Sequence, residues 1–139
     1  MIATPASEVN PILVVEDDAD LREVLAESLR LEGHEVLEAV DGLDAFQRLL
    51  GGARPALVVL DLVMPRMDGR QLLTAMRADA ALAAIPVVLV TGTPPRDLAE
   101  AVDAILKKPI GIKDLLRCIE RRGAGSGPRI PASAGAACA

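Results

Sequence analysis

The sequence lacks the features of secreted, disulfide-stabilised and membrane-spanning proteins. It has two cysteines, Cys118 and Cys138, which are too few for a disulfide framework and are not spaced as metal ligands. Its start, MIATPASEVN, has no basic segment followed by an apolar one, and no apolar run approaches the roughly 20 residues that span a bilayer. We therefore expect a soluble, cytoplasmic protein without membrane insertion.

Positive charge is also scarce. The chain has 15 lysines and arginines against 20 aspartates and glutamates, which gives a formal net charge of −5 at pH 7. Only the short pairs Lys107-Lys108 and Arg121-Arg122 could form a basic patch. Electrostatic binding of nucleic acid or an anionic membrane needs such a patch, so we expect no direct nucleic-acid partner.

What the chain does have is a series of short apolar segments. ILVV (12–15), LVVL (57–60) and VVLV (87–90) are continuous and rich in β-branched residues. Such runs indicate central strands of a parallel sheet that is covered on both faces. The alternating HEVLEAV (34–40) predicts an edge strand, and AILKK (104–108) predicts a weak last strand.

Helical patterns lie between these strands. Asp20 and Glu23 are spaced as a capping box for the first helix, Gly33 is placed to end it, and GRQLLTAMRAD (69–79) predicts a further helix. Apolar residues also recur at helical spacing in three sets, which are Leu21, Val24, Leu25 and Leu29; Leu43, Phe46, Leu49 and Leu50; and Ile112, Leu115, Leu116 and Ile119. Strand and helix alternate throughout, which predicts an α/β, doubly wound domain.

The ends of the chain differ from this pattern. Residues 1–9 look like a loose leader, and residues 123–139 consist almost entirely of Gly, Ala, Ser and Pro. Such a composition cannot form a core, so we expect a flexible tail. The predicted folded domain is residues 10–122.

Polar residues stand where the predicted strands end. Glu16, Asp17 and Asp18 follow the first strand. Asp61 follows the third strand, Thr91 follows the fourth, and Lys108 stands at the end of the last. Because the carboxyl ends of parallel strands share one edge, and ligands of open α/β sheets bind there, these residues predict a site.

The residue types indicate the chemistry of that site. Crowded carboxylates repel one another unless a cation neutralises them, and an all-oxygen cluster suits Mg²⁺. A lysine can bind a phosphate oxygen, a threonine hydroxyl can donate to another, and a carboxylate can act as a nucleophile. The set favours phosphoryl transfer onto Asp61.

The segments ILVVEDD, LVVLDLVMPRMDG, VVLVTG and KKP resemble the receiver domains of two-component response regulators in order and strand position. The resemblance covers essentially the whole predicted domain. It implies a flavodoxin-like receiver fold with five parallel strands in the order 2-1-3-4-5 and helices on both faces.

The resemblance also assigns roles to the metal-binding side of the site. Asp61 corresponds to the phosphoacceptor, and Glu16 and Asp17 correspond to the acidic pair that binds Mg²⁺, with Asp17 expected to touch the metal. The backbone carbonyl of Val63 corresponds to a further ligand. Asp18 stands next to this pair, and either Asp18 or Asp20 could instead cap a helix.

On the phosphoryl side, Thr91 matches the switch hydroxyl of the family and Lys108 matches the lysine that contacts the phosphoryl group. Pro109 resembles the family's cis proline. Alone, Thr91 could be part of a strand-ending turn and Lys108 a surface lysine, but together with Asp61 they favour the functional interpretation.

The implied function is that of a single-domain response regulator. It would accept a phosphoryl group from a histidine kinase or histidine phosphotransfer protein and signal to a downstream protein target, with a phosphorylation-dependent homodimer as a further possibility. No enzyme activity is expected beyond phosphotransfer to itself and autodephosphorylation. His34, the one histidine, is interpreted as a loop residue and not as a phosphodonor.

Two departures from the family pattern affect signalling. Receivers usually carry an aromatic residue three positions before the lysine, whereas this chain has Ile105 there and Phe46 as its one aromatic residue. In addition, residues 92–107 leave little room for both a helix and a strand. The fourth helix must therefore be short or irregular, and we expect signalling to act by ordering residues 92–104.

Two other functions fit parts of the pattern. A haloacid-dehalogenase-like phosphatase also forms an aspartyl phosphate, but it needs a second Asp two residues after the nucleophile, where Val63 stands. A pseudo-receiver would serve as an interaction module without phosphorylation. It ranks second, because the acidic pair, the acceptor and the lysine are all present.

Overall fold

The computed structural model describes residues 10–64 and 66–123. In chain order the elements are β1 (Ile12–Val15), α1 (Ala19–Leu31), β2 (Val36–Ala39), α2 (Gly42–Leu50), β3 (Leu57–Asp61), α3 (Gly69–Arg77), β4 (Val87–Thr91), β5 (Ala104–Lys107) and α4 (Ile112–Gly123). The predicted leader, Cys138 and the tail beyond Gly123 lie outside the described residues. Within the described residues, no helix has both the length and the apolar character needed to cross a membrane.

The strands form one parallel sheet in the order β2-β1-β3-β4-β5. This confirms the predicted strand order and places the alternating segment at an edge. Two strands run one residue further than their apolar runs, so that Asp61 ends β3 and Thr91 ends β4. Both residues are therefore held by the sheet itself.

Alternate strand residues enter two separate cores, one on each face of the sheet. Ile12 and Val14 face α1 and α4, whereas Leu13 and Val15 face α2 and α3. Both faces are therefore buried by helices, which explains why the central strands are continuously apolar and not alternating. Cys118 is buried in the first of these cores.

The predicted start of the first helix was wrong by two residues. Asp18, not Asp20, caps α1: its side chain accepts hydrogen bonds from the backbone N–H groups of Asp20 and Leu21. Asp20 lies in the first turn instead. The chain therefore turns from β1 into α1 within three residues, and the last carboxylate of that turn satisfies the first free N–H groups of the helix.

Two of the predicted apolar stripes were too wide. The side chain of Val24 is 59% exposed and that of Leu50 is 61% exposed, although their helical neighbours Leu25 and Leu49 are buried. Each helix covers the sheet with one face only, and Val24 and Leu50 lie outside that face. In α4 the prediction was correct, since Leu115 and Ile119 are buried and Ile112 and Leu116 pack against the same core.

Residues 92–103, between β4 and β5, contain no helix. They form bends and a turn at 97–101, with the N–H of Ala101 donating to the carbonyl of Leu98 at 2.9 Å. The segment is tied to α3 by the ion pair between Asp97 and Arg70 and by Arg77 Nη2, which donates to the carbonyl of Ala101 at 2.8 Å. The sequence predicted a short or irregular helix between β4 and β5, and the structure confirms that this segment is irregular. The helix labelled α4 is the one predicted after the last strand.

The neighbouring leucines of α2 test which face of this helix forms the core. Leu49→Ala should lower the free energy of unfolding by about 2–5 kcal/mol, because a large buried side chain leaves a cavity. Leu50→Ala deletes the same atoms, but from a side chain that lies in solvent, and should change the free energy of unfolding by less than about 0.5 kcal/mol. Urea unfolding of both variants measures the difference, and equal losses would contradict the assigned face.

Candidate functional site

The register of the sheet brings the predicted residues to one edge. Val15 pairs with Leu60, so Glu16 follows β1 at the level at which Asp61 ends β3. Asp61 pairs with Val90, and Thr91 pairs with Lys107. Lys108 therefore leaves β5 directly beside this group, and its backbone N–H donates to the carbonyl of Thr91 at 2.9 Å.

Three carboxylates meet at this edge. Glu16, Asp17 and Asp61 each offer an oxygen, and these oxygens all lie within 4.8 Å of one another. Glu16 and Asp61 are buried, with 2% and 6% of their surface exposed, whereas Asp17 is exposed. The cluster thus consists of two buried carboxylates and one that is exposed to solvent.

Lys108 supplies positive charge to this cluster. Its Nζ lies 3.3 Å from Oε1 of Glu16 and 3.4 Å from Oδ2 of Asp61. Burial by itself lowers the pKa of Lys108, but the charges of Asp61 and Glu16 outweigh burial and hold that pKa above its ordinary value. Lys108 is therefore protonated at neutral pH and bridges two of the three acidic groups.

The ionisation of Glu16 is governed first by its burial. Burial raises the pKa of Glu16 to about 7 and the charge of Asp61 adds to the rise, although hydrogen bonding from the Asp18 N–H and the charge of Lys108 oppose it. A carboxyl group with such a pKa is only partly ionised at neutral pH. One lysine therefore does not fully offset the burial and mutual repulsion of these groups.

A hard divalent cation fits this arrangement. Carboxylate oxygens are the ligands that Mg²⁺ prefers, and Mg²⁺ usually binds through one or two protein carboxylates together with water and phosphate oxygens. The exposed Asp17 beside the buried Glu16 and Asp61 leaves the cluster open on one side. The donor set therefore suits a metal that also contacts an incoming phosphoryl group.

Thr91 lies at the same edge and is buried, with 3% of its surface exposed. Its Oγ1 accepts a hydrogen bond from the N–H of Thr93 at 3.3 Å and lies 3.4 Å from the carbonyl of Thr93. In this structure the hydroxyl therefore stabilises the turn that follows β4, as the simpler interpretation predicted. Its contact with a phosphoryl group stays a prediction.

Two further predicted positions lie in the flanking loops. Val63 follows Asp61 by two residues and its side chain is 76% exposed, while the metal contact of its carbonyl stays a prediction. The Lys108-Pro109 peptide bond is cis, as the resemblance implied. Ile105, which replaces the usual aromatic residue, is half-buried and packs against the core formed with α2 and α3.

Sequence reasoning missed a second set of contacts beside the site. Arg66 binds the buried carboxylate of Asp41, and the N–H of Gly42 donates to the carbonyl of Met67 at 2.8 Å. These contacts join the loop after Asp61 to the start of α2. The only local signal was an Asp-Gly pair before a helical stripe, which predicts a helix cap but gives no partner.

Comparison with known proteins gives the same family by an independent route. Residues 12–120 match the family described as the response regulator receiver domain. The transcriptional regulatory protein PdtaR of Mycobacterium tuberculosis is 40% identical over 115 residues, which cover 78% of this chain and 54% of PdtaR. The response regulator MprA of a Mycobacterium species (strain KMS) is 35% identical over 133 residues, covering 87% of this chain and 55% of MprA.

The chain thus spans about half the length of these curated relatives. Among solved structures, the signal receiver domain of a signal transduction histidine kinase from Syntrophus aciditrophicus is similar, with a TM-score of 0.76 and 27% identity. That similarity covers 88% of this chain and 96% of the Syntrophus domain.

The sheet order, the acidic edge and these matches agree, and they exclude the haloacid-dehalogenase-like alternative. The chain belongs to the response regulator receiver domain family of two-component signalling systems.

Proposed function

We propose that this receiver domain accepts a phosphoryl group on Asp61. The observation that carries the proposal is the position of Lys108, whose ammonium group lies 3.4 Å from Asp61 and 3.3 Å from Glu16. It neutralises part of the acidic cluster and provides a cation beside the oxygen that would receive the phosphoryl group. An acceptor carboxylate needs such a cation nearby, because the incoming group is itself anionic.

The transfer would use the side chains in distinct roles. One oxygen of Asp61 attacks the phosphorus of a donor phosphohistidine, so that a P–O bond forms while the P–N bond breaks and its electron pair stays on the imidazole nitrogen. Lys108 then pairs with one phosphoryl oxygen. The hydroxyl of Thr91 donates a hydrogen bond to a second phosphoryl oxygen, which requires Thr91 to give up its hydrogen bonds with Thr93.

Glu16 and Asp17 would hold Mg²⁺ together with Asp61 and the backbone carbonyl of Val63. When bound, Mg²⁺ offsets the charge of the carboxylates and of the phosphoryl oxygens. Burial raises the pKa of Glu16, and a bound cation would oppose that rise by favouring the ionised carboxylate.

Residues 10–122 would form the receiver unit, acting in the cytoplasm. A histidine kinase or a histidine phosphotransfer protein would be the donor, and a downstream protein would bind the phosphorylated form, with a phosphorylation-dependent homodimer as a further outcome. A pseudo-receiver that works without phosphorylation is the second candidate. Its distinguishing property is that a small phosphodonor leaves it unlabelled.

Replacing the acceptor tests the proposal directly. Asp61→Asn removes the nucleophilic oxygen and should abolish labelling of the protein by acetyl phosphate, as measured by intact-mass spectrometry. Chelation of divalent metal should suppress labelling of the parent protein. Asp20→Asn, which alters an exposed carboxylate in the first turn of α1, serves as the control and should label normally. Undiminished labelling of Asp61→Asn would show that another residue is the acceptor, and absence of labelling in the parent would favour the pseudo-receiver.

The metal ligands are tested by affinity. Asp17→Ala removes the exposed oxygen of the cluster and should weaken Mg²⁺ binding about tenfold or more. Asp20→Ala removes an equally exposed carboxylate outside the cluster and should leave binding unchanged. Isothermal titration calorimetry compares the three proteins, and equal affinity in Asp17→Ala and the parent would remove Asp17 from the ligand set.

The signalling route is tested by amide hydrogen exchange. We propose that phosphorylation orders residues 92–104, because a segment without a regular helix directly after Thr91 would respond to inward movement of Thr91 and Lys108. Exchange in this segment should slow when beryllofluoride, a phosphoryl mimic, is bound to Asp61, whereas β3 should be protected in both states. Unchanged exchange at 92–104 together with a response on another face would contradict this route.

A further inference from the structure

The loop between β3 and α3, of which the structure describes residues 62–64 and 66–68, contacts the backbone of Asp61. At its end, the N–H of Gly69 donates to the carbonyl of Leu62 at 2.9 Å. A Cβ atom on Gly69 would lie 2.4 Å from the carbonyl oxygen of Asp61 and 2.8 Å from the Cα of Leu62. The start of α3 therefore packs directly on the peptide that follows Asp61, so the end of this loop is in contact with the backbone of Asp61.

The middle of this loop is held by an ion pair with another element. Nε and Nη2 of Arg66 both lie 2.6 Å from Oδ2 of Asp41. The side chain of Asp41 is 4% exposed, and its Oδ1 caps α2 by accepting a hydrogen bond from the N–H of Asp44 at 2.9 Å. The loop thus supplies the cation for a buried carboxylate at the start of α2.

The backbone around this ion pair is equally constrained. The N–H of Gly42 donates to the carbonyl of Met67 at 2.8 Å, and a Cβ on Gly42 would lie 2.3 Å from that oxygen. Arg66 has a φ of 63°, in the left-handed region that is unfavourable for residues other than glycine. Such a conformation persists where surrounding contacts fix it. Arg66 is the residue in this conformation, and its own side chain makes the ion pair with Asp41.

We propose that Arg66 is a positioning residue for phosphoryl transfer. By binding Asp41, it fixes the 62–68 loop and so holds the carboxylate of Asp61 in the geometry that accepts the phosphoryl group. This inference rests on the proposed role of Asp61. A small displacement of a reacting group is enough to slow a reaction many-fold, so a residue outside the acidic cluster can control the rate in this way.

The test compares labelling rates of fully folded variants. Arg66→Gln removes the cation, and Asp41→Asn removes the anion while keeping a residue that caps helices as well as aspartate does. The double variant completes a mutant cycle, and Arg66→Lys keeps the charge without the planar fork. Arg48→Gln is the matched control, because it breaks the ion pair of Arg48 with Asp44 on α2 without touching the loop.

The measured quantity is the first-order rate of labelling by acetyl phosphate at saturating Mg²⁺, at a temperature where thermal unfolding shows every variant to be folded. Each single variant should label about three- to tenfold more slowly than the parent, because a small displacement of the Asp61 carboxylate would slow its attack on the phosphodonor. The double variant should be no slower than the slower single one, because both changes break one interaction. Arg66→Lys should recover part of the rate, and Arg48→Gln should label as the parent does.

Several results would overturn the inference. Normal labelling of Arg66→Gln would do so, as would additive losses in the double variant or an equal loss in Arg48→Gln. These outcomes are separate from failure of the proposed acceptor. If Asp61→Asn is unlabelled while Arg66→Gln labels normally, Asp61 keeps its role and Arg66 loses its own. If Asp61→Asn is labelled like the parent, both proposals are wrong.

Discussion

Burial of carboxylates at one edge of a parallel sheet is the constraint on which the candidate site depends. Parallel register sets Glu16 and Asp61 at the same level on adjacent strands, with Asp17 beside them. Burial of two of these groups makes the cluster unfavourable unless positive charge is near. Lys108 supplies part of that charge from the end of β5, and the raised pKa of Glu16 shows that the compensation is incomplete.

The connection that follows Asp61 is short and is contacted from two sides. The chain leaves β3 at Asp61 and reaches α3 at Gly69, where a side chain would collide with the backbone carbonyl of Asp61. Bonds from the start of α2 hold this loop from the other side. By contrast, the connection after Thr91 carries no helix and is tied to α3 by the side chains of Arg70 and Arg77. The acidic side of the edge is thus anchored to the starts of α2 and α3, whereas the segment after Thr91 is anchored to α3 and to the core on that face of the sheet.

Most of the fold could be predicted because strands and helices follow from local apolar periods. The continuous runs of β1, β3 and β4 and the stripe of α4 required only a count of apolar positions. The errors occurred where two local signals competed: Asp18 and Asp20 could both cap α1, and the sheet's connection to the helix decided between them. Val24 and Leu50 fit helical stripes, yet their exposure depends on how far each helix covers the sheet.

The sequence by itself determined the strand positions, the polar residue that ends each strand and the resemblance that orders those strands in space. It also determined that residues 92–107 are too few for a regular helix and a strand, since chain length limits both. Only the tertiary structure decided which partners those residues meet. Lys108 contacts both Glu16 and Asp61 because four adjacent strands, β1, β3, β4 and β5, pair in one parallel register, and Arg66 reaches Asp41 because two loops pack together. Such contacts join residues far apart in the chain, and local sequence patterns carry no signal for them.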